Sequence, residues 1–246
     1  MGRRGCSAKG WRVWAVGALL VVFLAALTLV SGMAQAAAPI KIGFSMALTG
    51  GLAGGGKTAL LAMQIWAEDV NKKGGLLGRP VELVFYDDQT KPANVPTIYT
   101  KLLDVDKVDF VVSPYGTVLI APAMPIMIER KLVFMSLFGL AINETFKYPN
   151  YFQIMPAGPR PYEEWSTGFF EVAAKQNPKP TTVALVGADA EYSVNALIGA
   201  KKNAEKHGFK IVYDKRYPPA TTDYTPVVRA IKAGNPDIVY VASYTP

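Results

Sequence analysis

A ten-residue stretch near the start of the chain has the residue types to bind phosphate. It reads Thr49-Gly50-Gly51-Leu52-Ala53-Gly54-Gly55-Gly56-Lys57-Thr58, and from Gly51 to Thr58 it fits the spacing G-x-x-x-x-G-K-T. In that pattern glycine amides cradle phosphates, the lysine reaches the outer phosphates and the hydroxyl holds magnesium. The apolar run Leu83-Val84-Phe85-Tyr86 ends in Asp87-Asp88, which could imitate the magnesium-binding strand end of such a site. The same glycines have a second use: lacking side chains, they let backbone approach any ligand closely. Other reactive types are sparse. His207 is the only histidine, and His207-Gly208 reads as a cation at a helix end. Cys6 is the only cysteine. This inventory offers no Ser/His/Asp or Cys/His set for nucleophilic catalysis and no Cys/His cluster for a metal. No catalytic residue, metal ligand or cofactor is assigned.

The elements around the loop narrow these choices. Arg3, Arg4, Lys9 and Arg12 make a basic start without an acid, an apolar run follows from Val13 to Val30, and Ala34-Gln35-Ala36 offers a small-x-small cleavage site. That order predicts a secretory signal over residues 1–36; a retained membrane anchor is the other reading of the same run. Cys6 lies before the apolar run, so it is poorly placed for lipid attachment. Removing the four basic residues lowers the formal charge from +7 to +3, which does not indicate a nucleic-acid groove. The remaining part has no cysteine, so it folds without a disulfide.

Past residue 38, apolar runs alternate with amphipathic ones. Strands are expected at 40–47, 81–86, 109–113, 132–136, 151–155, 182–187, 209–216 and 237–242. Helices are expected at 57–72, 93–106, 117–130, 160–176, 191–207 and 223–234. Runs such as Phe110-Val111-Val112 and Ile238-Val239-Tyr240-Val241 suit strands covered on both faces. The alternation implies a parallel α/β sheet. Pro156-Ala157-Gly158-Pro159 interrupts the pattern and predicts a domain break. No repeat is visible. Asp87 and Asp88 end a strand, where they cap the next helix, face solvent or meet a ligand.

An ordered series of short motifs then becomes specific. It comprises Ile40-Lys41-Ile42-Gly43, Leu48-Thr49-Gly50, Asp69-Val70-Asn71-Lys72-Lys73-Gly74-Gly75-Leu76-Leu77-Gly78 and Val84-Phe85-Tyr86-Asp87-Asp88. Val112-Ser113-Pro114-Tyr115-Gly116-Thr117, Ala188-Asp189-Ala190-Glu191-Tyr192 and Val239-Tyr240-Val241-Ala242-Ser243-Tyr244 continue it. The series closely resembles the leucine/isoleucine/valine-binding proteins of ABC importers, the type I periplasmic binding proteins. That resemblance implies an α/β fold of two Rossmann-like parallel-sheet lobes around a cleft. Residues 37–156 would form lobe one and 157–246 part of lobe two, with the second lobe incomplete. It implies a non-enzymatic protein outside the cytoplasm that binds an amino acid or a related small carboxylate or amide by lobe closure and delivers it to a membrane permease. The membrane is met only through that permease. A ligand-sensing domain of a receptor or regulator with the same fold is the alternative, and a P-loop NTPase a remote one.

The resemblance also implies a site. Amino-acid binders of the family carry an aromatic residue where this chain has Gly54 or Gly55, which implies a missing wall and room for a larger ligand. Thr117 matches a serine that binds the ligand carboxylate; hydroxyl and free helix N–H groups together suit an anion, and the same residue can serve as a helix cap. Phe138 and Leu140 match positions that hold the ligand ammonium through a carbonyl and a hydroxyl. The Leu140 side chain can do neither, and Ser136 is the substitute. Tyr192 and Tyr244 match tyrosines that face the cleft from lobe two. Tyr115 adds a further wall or belongs to the core. The acid that meets the ammonium would lie beyond Pro246.

Overall fold

The computed structural model describes residues 38–244; the secretory-signal reading of residues 1–36 falls outside them. Residues from Pro39 onward form one compact unit. The first half of the described chain builds strands β1 (Ile40–Met46), β2 (Val81–Asp87), β3 (Phe110–Val111), β4 (Phe134–Ser136) and β5 (Tyr151–Gln153). β1 pairs in parallel with β2, Ile40 opposite Val81, and with β3, Ile42 opposite Phe110. β4 pairs in parallel with β5. A single bridge between Val112 and Met135, with the Ser113 amide donating to the Met135 carbonyl at 2.9 Å, joins the two groups. The strand order is therefore β2-β1-β3-β4-β5. β1 is buried along nearly its whole length, as its apolar run predicts for a strand with helices on both faces.

The second half repeats the arrangement on a smaller scale. β6 (Thr182–Ala188), β7 (Lys210–Tyr217) and β8 (Ile238–Ala242) form a parallel sheet of order β7-β6-β8. The helices are α1 (Ala53–Lys72), α2 (Asn94–Asp104), α3 (Thr117–Glu129), α4 (Ile142–Phe146), α5 (Pro161–Ala174), α6 (Glu191–Lys206) and α7 (Thr225–Ala233). Every expected strand and helix is present. Some bounds differ from expectation: β3 keeps only Phe110–Val111 of 109–113, and β4 and β5 are shorter than expected. α4 is an extra short helix, and α1 begins at Ala53 rather than Lys57, because three glycines of low helix propensity disguise its first turn.

Each half encloses its own apolar core. Val95, Tyr99, Leu102, Leu119, Ile120, Met124, Met127 and Phe134 fill the first. Phe170, Val183, Leu185, Ala196, Leu197, Ala200 and Phe209 fill the second. The two interlock. Leu140 and Ala141, which follow β4, are buried in the second core, while Tyr244, which follows β8, packs against the first. The Asn195 side-chain amide donates to the Leu140 carbonyl at 2.9 Å and adds a polar tie across the same junction.

Both sheets begin with one shared device. Asp109, the residue before β3, accepts a hydrogen bond from the Lys41 amide at 2.8 Å. Asp237, the residue before β8, accepts from the Thr181 amide at 2.7 Å, the Thr181 hydroxyl at 2.9 Å and the Thr182 amide at 2.9 Å. The amides of Thr181 and Thr182 hold the Asp237 carboxyl down at about 2.

Candidate functional site

In an open α/β sheet, ligands bind outside the carboxyl ends of the strands, where the strand order reverses. The first sheet reverses between β1 and β3, and the second between β6 and β8. The chain therefore points to four segments: residues 47–52 after β1, 112–116 after β3, 189–190 after β6 and 243–244 after β8. The structure brings all four together around two neighbouring cavities.

The smaller cavity, about 190 Å³, is lined by Tyr115, Gly116 and Phe138 from the first half and by Met155, Trp165, Tyr192, Ser243 and Tyr244. Its rings come in pairs. Tyr115 and Phe138 have centroids 5.2 Å apart at 55°, and Tyr192 and Tyr244 are 5.2 Å apart at 47°. Trp165 meets Tyr192 edge to face at 6.0 Å, and its indole N–H donates to the Tyr192 hydroxyl at 3.3 Å. Burial raises the Tyr192 hydroxyl above its ordinary pKa. Burial raises that of Tyr244 further; this hydroxyl lies beside the Thr117 hydroxyl and the Val118 amide yet has no partner in hydrogen-bonding geometry. The larger cavity, about 510 Å³, adjoins Tyr244 and Ser243. It runs between Gly51, Leu52, Thr90 and Val118 on one side and Asp189, Ala190, Tyr217 and Tyr224 on the other.

The glycine loop does something other than cradle phosphate. Asp87 accepts hydrogen bonds from the amides of Leu48 at 3.0 Å, Thr49 at 3.2 Å and Gln89 at 2.8 Å, and from the Thr49 hydroxyl at 2.6 Å. Burial would raise the Asp87 carboxyl, but the bonds from Thr49, Gln89 and Leu48 outweigh it and hold the group below the usual carboxylate range. The Thr90 hydroxyl donates to the Thr49 carbonyl at 2.7 Å and accepts from the Leu52 amide at 3.2 Å. Asp88 is fully buried and accepts from the Ser45 hydroxyl and the Thr90 amide; burial raises its carboxyl. Both acids therefore fasten the turn between β1 and α1. Lys57 and Thr58 are exposed, and the Thr58 hydroxyl bonds back to the Gly54 carbonyl of its own helix at 3.0 Å. No group of three or more His, Cys, Asp or Glu that could hold a metal occurs among the described residues.

The three glycines have separate reasons. Gly54 faces open space. Gly56 lets α1 press onto the end of β1, since a Cβ there would run into the Ala47 carbonyl. A Cβ at Gly55 would fall inside the ring of Tyr115. The wall that the glycines leave out is thus supplied by Tyr115 from the neighbouring loop. At position 55 the space is taken by Tyr115, while Gly54 remains open.

The remaining expected site residues are distributed as follows. Tyr115, Phe138, Tyr192 and Tyr244 share the smaller cavity. Thr117 is fully buried at the start of α3, behind Gly116 at φ +91°, and its hydroxyl accepts from the Leu140 amide at 3.0 Å. Leu140 has a fully buried side chain in the second core, and its amide and carbonyl are both bonded to protein. Ser136 is fully buried with an unpartnered hydroxyl. Thr117, Ser136 and Leu140 line neither cavity. Trp165, Met155 and Ser243 were not expected. Of these, Trp165 carried a signal, being one of only two tryptophans after residue 38.

Two parallel sheets with facing switch points and a shared aromatic cavity define a two-part α/β binding protein. A family model described as periplasmic binding protein matches residues 39–246; the chain belongs to that family. It is 27% identical over 225 residues to the Leu/Ile/Val-binding protein BraC3 of Rhizobium johnstonii, an alignment covering 89% of this chain and 59% of that protein. Among solved structures, an ABC-transporter solute-binding protein of Rhodopseudomonas palustris HaA2 in complex with p-hydroxybenzoic acid superposes with a TM-score of 0.73 at 24% identity, covering 83% of this chain and 54% of that one. The substrate-binding protein LivJ of Streptococcus pneumoniae in complex with isoleucine superposes with a TM-score of 0.71 at 21% identity, covering 82% and 56%. The chain thus spans a little over half the length of the proteins it matches. Those relatives are substrate-binding proteins rather than enzymes.

Proposed function

We propose that this chain is the greater part of an extracytoplasmic solute-binding protein of an ABC importer. In this reading residues 1–36 direct export and are removed, and residues 37–156 and 157–246 contribute the two lobes. A small ligand, an amino acid or a related carboxylate or amide, is enclosed between them and passed to a permease. The observation that carries the reading is the cavity built jointly by the loops at both switch points, with rings from each half. Tyr115 and Phe138 wall it from one side, and Tyr192 and Tyr244 from the other. Thr117, buried directly behind the wall residue Gly116, and the first amides of α3 are the candidate donors for a carboxylate. Gly54 and Gly55 leave the face of α1 bare, and the Tyr115 ring lies over Gly55. The relatives that carry bound isoleucine and p-hydroxybenzoic acid support a small carboxylate as the ligand class.

A thermal-shift screen of the full-length protein against amino acids and small organic acids tests this. A binder raises the melting temperature in proportion to the logarithm of its concentration. Tyr192→Ala should weaken the best binder by about tenfold or more, since a ring removed from a desolvated contact costs more than about 1.4 kcal/mol. A full panel without any stabilising compound would count against solute binding.

A further inference from the structure

We infer that Asn195 is a positioning residue of the aromatic cavity: its side-chain amide, on α6, holds the loop that carries Phe138 and so sets how far the walls of the two halves stand apart. This deepens the solute-binding reading above and rests on it. The loop runs from Leu137 to Ala141, directly after β4. The first half holds its main chain at two points. The Leu137 amide donates to the Ser113 hydroxyl at 2.9 Å, and the Leu140 amide to the Thr117 hydroxyl at 3.0 Å. Little room lies between those points. A Cβ at Gly139 would come within 2.9 Å of the Tyr151 hydroxyl and 3.0 Å of the Ser136 hydroxyl, and Ala141 sits at φ +59°. The second half reaches the same loop through the Asn195 amide, which donates to the Leu140 carbonyl at 2.9 Å, beside the Leu140 side chain in the second core. Each partner in this chain of bonds stands close to a wall of the cavity. Thr117 follows Gly116, and Leu140 lies two residues after Phe138. Asn195 lies three residues after Tyr192 on α6, where residues three apart are neighbours on one face. A shift of the Leu140 carbonyl therefore moves Phe138 relative to Tyr192 and to Trp165, whose indole N–H is bonded to the Tyr192 hydroxyl. Without Asn195 that part-buried carbonyl loses its partner, and the walls part to let water reach it. Asn203 shows the same residue type in a purely structural place. About two turns further along α6, it donates to the Glu163 carbonyl at 2.7 Å and the Ser166 hydroxyl at 2.9 Å, both within the second half.

The test is fluorine NMR of the unliganded full-length protein labelled with 5-fluorotryptophan, the Trp165 resonance being assigned by its loss in Trp165→Phe. A soluble nitroxide broadens that resonance according to its access to the cavity. Asn195→Ala should raise the broadening by about twofold or more, because one lost hydrogen bond shifts a local opening equilibrium by about two- to tenfold. Asn195→Asp, equal in shape but without the donor, should do the same, and Asn195→Gln, which keeps a donor, should recover part of the protection. Asn203→Ala should lower the melting temperature and leave the broadening at the wild-type level. Should that control fail to fold, Ser166→Ala, which removes one of the same bonds, replaces it. Unchanged broadening in Asn195→Ala and Asn195→Asp would overturn the inference. Equal broadening in Asn195→Ala and the control would overturn it as well, since general loosening would then explain both. No solute is present in this measurement, so its failure is distinct from that of the solute-binding reading, which falls with a blank solute panel.

Discussion

The two halves solve one problem with different materials. Each places a sheet with its order reversed beside its first strand, fastens the start of that strand with an aspartate one residue ahead of the third, and sends a tyrosine from the loop after the third strand toward the shared cavity. They part at the helix after the first strand. In the second half, the second residue of α6 is Tyr192, a ring in the cavity. In the first half, the second and third residues of α1 are Gly54 and Gly55. One half thus sets a ring on that helix. The other contributes bare helix backbone and lets Tyr115 lie across it. The difference shows that a wall can be handed from one loop to its neighbour without leaving a hole.

The comparison can be broken first at the cores. The second half centres its interior on Phe170, whose ring contacts Phe169, Phe209 and Tyr240 at 5.1–5.8 Å. Phe170→Ala should cost about 3–5 kcal/mol by urea unfolding of the unliganded protein, the range for a fully buried ring. A loss below about 1 kcal/mol would show that the second core is looser than its packing implies. The glycines of α1 allow a sharper contrast. Gly56→Ala forces a methyl against the Ala47 carbonyl and should destabilise by about 1–3 kcal/mol. Gly54→Ala, two residues earlier and facing open space, should stabilise by up to about 1 kcal/mol through helix propensity. Equal effects at the two positions would remove the distinction between a close approach and an empty one.

The smallest effect expected is at the shared aspartate, and it carries a pH signature. Asp237 accepts three bonds from Thr181 and Thr182, whereas Asp109 accepts one from Lys41. The folded carboxyl of Asp237 titrates at about 2, below the unfolded value of about 3.9. Its stabilisation is therefore complete above about pH 4 and disappears as the pH falls through the folded value. Asp237→Asn should lower the melting temperature at neutral pH, with the gap to wild type closing as the medium is taken below about pH 4. A gap that does not change with pH would assign the effect to lost geometry rather than to charge.

Much of this architecture was legible in the residues. Branched apolar runs such as Val111-Val112 and Ile238-Val239 mark the strands, and the family resemblance points to four of the cavity rings, Tyr115, Phe138, Tyr192 and Tyr244. The start of α1 was hidden because its first turn is written in glycine, whose reasons lie in the neighbours: Ala47 at position 56 and Tyr115 at position 55. No sequence window contains both partners. The quasi-repeat was obscured for a related reason. The halves share positions rather than residue types, and Val108-Asp109-Phe110-Val111 with Pro236-Asp237-Ile238-Val239 is the one short echo. Leu140 shows a limit of reading by correspondence. Its position along the chain pointed to the ligand, while its side chain belongs to the opposite core.

That exchange of residues has a mechanical consequence. Leu140 from one half sits in the interior of the other, and Tyr244 from the second leans on the first. In the proposed solute-binding role, any separation of the halves has to loosen both attachments or swing about them. If they act as pivots, the moving edge is the opposite rim, where Gly51 and Thr90 face Asp189 and Tyr224 across the larger cavity. The polypeptide thus stitches its two cores together with a leucine and a tyrosine traded between neighbours.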